Sequence, residues 1–85
     1  MTKHTKLLNR FLSKPKDFEY NELKKLLAGF GYKEQVLGKT SGSRVGFVNI
    51  ENDSIIRIHK PHPENTLKLY QIVQIIDFLK QKGVI

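Results

Sequence analysis

Ser43-Arg44-Val45-Gly46-Phe47-Val48-Asn49 and, a few residues later, Ser54-Ile55-Ile56-Arg57-Ile58-His59 are the stretch on which the fold turns. Both runs mix β-branched or aromatic residues with polar ones, as half-buried strands do. The link between them, Ile50-Glu51-Asn52-Asp53, is short and mostly polar, so the two strands pair antiparallel as a hairpin. Alternation puts Arg44, Gly46 and Val48 on one face and Val45, Phe47 and Asn49 on the other, while Arg57 and His59 share a face of the next strand. Whether Arg44 joins Arg57 and His59 depends on register, and a one-residue slip would reverse the answer. No other part of the chain gathers cationic and titratable side chains so densely.

Working outward, Tyr32 to Lys39 reads as a first strand, joined to the hairpin by Thr40-Ser41-Gly42. Upstream, residues 3–13 place Leu7, Leu8, Phe11 and Leu12 on one helical stripe, and Pro15 stops that helix. A second helix spans Asn21 to Phe30, with Asn21 as its cap, Leu23, Leu26, Leu27 and Phe30 as its buried face, and Gly29 and Gly31 as sites for a left-handed ending. After the hairpin, the dense apolar series from Leu67 to Leu79 predicts a broadly buried helix closed by Gly83. Lys68, Gln71, Gln74, Asp77 and Gln81 are expected on its wet side. The last two residues, Val84 and Ile85, either fray or tuck back. The order is helix, helix, three strands, helix: an α+β domain whose three-stranded antiparallel sheet packs on helices.

Composition narrows the partners. With 85 residues there is one small core and no room for a large cleft. Fifteen Lys and Arg against eight Asp and Glu give a formal charge of +7, which favours a polyanion, and nucleic acid first. The absence of cysteine excludes disulfides, thiolate nucleophiles and zinc fingers. The polar N-terminus and the lack of a long apolar run predict a cytoplasmic protein with no membrane partner.

Imidazole titrates near neutrality, so His59 is the candidate proton carrier beside a phosphate; the competing reading is an ordinary loop histidine after a strand. His62 follows it, but Pro61 between them forbids a helical ligand pair and no carboxylate or cysteine completes a set. No metal and no cofactor are therefore expected. Arg44, Arg57 and Lys60 suit phosphate clamping, Ser41 and Ser43 suit hydrogen bonds in an anion nest, and Lys39 and His62 extend the basic surface. Against this stands a plain solvated basic face. Aromatic stacking is poorly supplied, because Phe47 is expected in the core.

The run Glu22-Leu23-Lys24-Lys25-Leu26-Leu27, then Gly31-Tyr32, Gly42-Ser43, Phe47, Ile56-Arg57-Ile58-His59-Lys60 and the closing helix through Gly83-Val84-Ile85 resembles the HicA family of toxins over about residues 18 to 85. The resemblance implies a fold like the double-stranded-RNA-binding domain, α-β-β-β-α, with residues 17–85 as the HicA-like domain and residues 1–16 as an extra N-terminal helical extension. It also implies a ribosome-independent mRNA interferase, an endoribonuclease, neutralised by a HicB-like antitoxin. The chain departs from the family at one point: the motif Gly-Ser-His, whose histidine serves cleavage, is here Gly42-Ser43-Arg44. Arginine stays protonated and is a poor general base, although it can hold phosphate and developing negative charge. Either His59 takes over proton transfer with Arg44 as clamp, or the domain is a non-catalytic RNA-binding or antitoxin-docking module.

Overall fold

A computed structural model describes residues 3–36, 44–61 and 64–85 of the chain. Its elements are α1 (Lys3–Leu12), α2 (Tyr20–Gly29), β1 (Lys33–Val36), β2 (Arg44–Asn49), β3 (Ser54–His59) and α3 (Leu69–Gln81). The strands form one antiparallel sheet in the order β1-β2-β3. This is the α+β, double-stranded-RNA-binding-domain-like arrangement, preceded by α1.

One face of the sheet meets the helices. Val45, Phe47 and Ile56 from the strands close with Leu23, Leu26 and Leu27 of α2 and Ile72, Ile75, Ile76 and Leu79 of α3 into a single buried cluster. Tyr32 anchors the start of β1 there, its hydroxyl 2.8 Å from the Ser54 hydroxyl, which itself bonds Asn52. Asn49, also buried, donates to the Phe30 carbonyl at 3.0 Å and accepts the Glu51 amide at 3.0 Å. It thereby joins the end of α2 to the β2–β3 turn. Gly31, at φ 91°, gives the left-handed residue that leaves α2, and a side chain there would press on Asn49.

Helix α1 lies against α2. Phe11 is fully buried and its ring is 4.9 Å from that of Phe18. The His4 ring meets Phe30 edge-on at 4.6 Å and bonds the Leu26 carbonyl at 2.9 Å. Gly29 is what admits His4, because a Cβ at that position would lie 2.1 Å from the imidazole. Its role is therefore close approach within the helix, whereas the left-handed ending belongs to Gly31.

Three local expectations change. Glu19, not Asn21, caps α2; its amide donates to the Glu22 carboxylate at 3.0 Å, a bond that a carboxylate three residues on makes well. Helix α3 begins at Leu69, because Leu67 first pairs its amide with the Phe18 carbonyl at 2.8 Å, beside an antiparallel bridge between Glu19 and Thr66. Finally, Gln71 is buried while Leu69 and Tyr70 are exposed, the reverse of their polarity. An amide can be buried when backbone partners satisfy it, and one helix face cannot hide every apolar residue of so dense a run. At the far end, Gly83 terminates α3 at φ 72°, and Val84 and Ile85 pack against the core.

Candidate functional site

Register decides the site. Arg44 pairs with His59, Gly46 with Arg57 and Val48 with Ile55 across β2 and β3, while Gln35 pairs with Gly46 and Lys33 with Val48 across β1 and β2. Directly opposed residues share a face, so the side away from the helices carries three rows: Lys33–Val48–Ile55, Gln35–Gly46–Arg57, and Arg44–His59. Opposed side chains of an antiparallel pair start about 5 Å apart, which puts the guanidinium of Arg44 and the imidazole of His59 within reach of one phosphate. Arg57 is the next residue of β3 on that face, and Gly46 adds no side chain between it and Gln35.

Lys33, Gln35, Arg44, Arg57 and His59 are all exposed. Among the described residues none of Lys33, Arg44, Arg57 and His59 forms an ion pair; the pairs found there are Arg10 with Asp17 and Glu22, and Lys24 with Glu34. The positive charge of the open face is thus not neutralised by ion pairs among the described residues. Toward the β2–β3 turn the face carries Val48 and Ile55, and a shallow cavity of about 230 Å³ there is lined by Val48 and Ile50 together with Lys33, Gln35, Asn49 and Glu51.

Lys60 is set differently from the other predicted phosphate ligands. Its ammonium lies 5.4 Å above the Tyr20 ring, on the helix side, where the Tyr20 hydroxyl donates to Glu34. That bond, with Lys24 and Lys60 nearby, holds the Glu34 carboxyl below the ordinary carboxylate range against the opposing effect of burial. Burial and the same carboxylate push the Tyr20 phenol well above its ordinary value. Lys60 therefore steadies the end of β3 as well as adding charge.

Of the residues read from the sequence, Arg44, Arg57 and His59 come together on one face and Lys60 turns to Tyr20. Lys39, Ser41, Ser43 and His62 lie outside the described residues. Sequence reasoning missed Lys33 and Gln35, whose alternation along β1 was the available signal, and it missed Gln71. The Gln71 side chain donates to the His59 carbonyl at 2.9 Å and accepts the Lys68 amide at 3.0 Å. No pattern in the chain marked that contact. Among the described residues no three His, Asp or Glu groups cluster as a metal site, and no helix is long and apolar enough to cross a membrane.

Fold and face together define a small basic domain of the double-stranded-RNA-binding-domain type, with a cationic sheet surface turned outward. The family model described as HicA toxin of bacterial toxin-antitoxin matches residues 20–84, from the first residue of α2 to beyond α3. The chain belongs to this toxin family, and α1 precedes the matched region. Comparison with curated proteins and with solved structures gives no significant match.

Proposed function

We propose that this chain is the toxin of a HicA–HicB type pair, acting in the cytoplasm on mRNA, and that the open face of the sheet binds the RNA and cleaves it without a metal ion. Residues 17–85 form the toxin domain and residues 1–16 its N-terminal extension. The observation that carries the reading is the direct opposition of Arg44 and His59 on β2 and β3, with Arg57 two residues along the same face. In this mechanism the His59 imidazole takes the proton of a ribose 2′-hydroxyl. The 2′-oxygen then attacks the adjacent phosphorus, and the bond from phosphorus to the 5′-oxygen breaks. The leaving oxygen takes a proton from water, so the products are a 2′,3′-cyclic phosphate and a 5′-hydroxyl end. Arg44 and Arg57 hold the phosphate oxygens and offset the charge that develops on them. Lys60, Lys39, Ser41, Ser43 and His62 supply further contacts to the RNA backbone, and a HicB-like antitoxin restrains the toxin.

A second reading follows from Arg44 itself, which stands where the family motif has histidine: a domain that binds RNA and antitoxin without cleaving. Purified protein incubated with mRNA in EDTA separates the two. Cleavage that falls 100-fold or more in His59→Ala and is reduced in Arg44→Ala supports the nuclease, since a positioned base contributes about 10²–10⁴ in rate. RNA binding with no product from the wild-type chain supports the module. Full activity in His59→Ala removes that residue from the mechanism.

A further inference from the structure

We infer that Gln71 is a positioning residue for His59: its buried side chain takes the place of a missing neighbour strand at the end of β3 and so fixes the point and direction from which the His59 side chain leaves the main chain. The inference rests on the reading above for its catalytic consequence, but the contact stands independently. His59 is the last residue of β3, and among the described residues β3 is an edge strand with β2 on one side only. An edge strand lacks hydrogen-bond partners along its outer side and frays most easily at its end. Here the His59 carbonyl accepts the Gln71 Nε2–H at 2.9 Å, and the Gln71 Oε1 is held in turn by the Lys68 amide at 3.0 Å. Gln71 is 6 % exposed, so its amide has little access to water to satisfy it otherwise. Both ends of the side chain are committed. The carbonyl is one bond from the His59 Cα, and holding it sets the direction of the Cα–Cβ bond against Arg44 across the ladder. Lys60 over Tyr20 secures the next residue from the helix side. A histidine on a fraying strand end would carry its ring through many positions; one whose main chain is held on both sides keeps its Cα–Cβ bond directed along the Arg44 row and narrows the positions the ring can reach, which favours proton transfer.

Two variants separate positioning from helix capping. Gln71→Glu keeps an oxygen for the Lys68 amide but has no donor for His59, whereas Gln71→Met loses both bonds. With an mRNA fragment that the wild-type chain cleaves, each variant is expected to lower kcat about tenfold with KM within about twofold. The His59 ring signal in proton–carbon NMR is expected to shift and broaden in both. A folded Gln71→Glu protein with an unmoved ring signal and kcat within twofold of wild type overturns the inference. His59→Ala is run alongside: if it cleaves at the wild-type rate, or if the wild type does not cleave, the catalytic reading fails and the ring signal alone decides the clamp. The wild-type chain supplies a reading that needs no variant, because fast hydrogen exchange of the Gln71 side-chain amide overturns the clamp and protection supports it.

Discussion

The two faces of the sheet are built from alternate residues of the same strands and are held by opposite physics. On the helix side Val45, Phe47 and Ile56 are buried, and the polar residues there, Asn49 and Ser54, are satisfied by Phe30, Glu51, Tyr32 and Asn52. On the open side Lys33, Arg44, Arg57 and His59 are exposed and, among the described residues, without ion pairs. The covered face spends its interactions internally and sets stability; the open face leaves its charge unpaired, and the proposed function makes it the binding surface. Substitutions on the two faces should therefore separate into different observables.

The largest effect is expected from Phe47→Ala, which empties the centre of the covered face. Truncation of a buried phenylalanine costs about 3–5 kcal/mol, a large share of the roughly 5–15 kcal/mol that holds a domain together. Denaturant unfolding should show the midpoint collapse, and a shift under about 1 kcal/mol would mean that this face is not the core.

Tyr20→Phe tests the boundary between the faces, since it removes the hydroxyl that bonds Glu34. A bond to a carboxylate, discounted because Glu34 is partly exposed, leaves roughly 1 kcal/mol, or about 4–8 °C in Tm for a domain of this size. The sign follows from the two titrations. Glu34 is depressed in the folded state, so its contribution is present above the ordinary carboxylate value and lost as pH falls through the depressed one. Tyr20 is raised, so its contribution is present below the ordinary phenol value and lost as pH rises beyond it. The gap between wild type and variant should be widest from about pH 5 to pH 9 and narrow on both sides. A gap constant from pH 3 to pH 8 would remove the charged partner from the account.

The smallest change in stability belongs to Arg57→Ala on the open face, within about 0.5 kcal/mol of wild type. Its signature lies elsewhere: if the open face holds RNA phosphates, the slope of binding against salt should fall by about 0.7 per lost contact on a single strand. An unchanged slope would place the RNA on another surface.

Much of this was legible in the chain. The six elements, the antiparallel hairpin and the split of Arg44 and Phe47 onto opposite faces follow from period-2 alternation and from glycine and proline punctuation. The orientation of α3 was less legible. Gln71 looked wet and Leu69 and Tyr70 looked buried, because periodicity reports average polarity and is blind to a backbone carbonyl that waits for a donor. Lys60 read as a phosphate ligand alongside Arg44 and Arg57, and only the fold set it above the Tyr20 ring. The caps shifted for a similar reason. The carboxylate of Glu22 reaches the Glu19 amide, and that geometry, more than the presence of an asparagine, set where α2 begins.

The sequence by itself determined the element order, the basic charge and the family resemblance, since these depend on residue types and local spacing. Tertiary structure alone decided that Arg44 faces His59 and that Gln71 reaches the end of β3. Register and helix docking bring together residues 15 and 12 positions apart, and no local periodicity specifies which of two alternating faces will meet across a ladder.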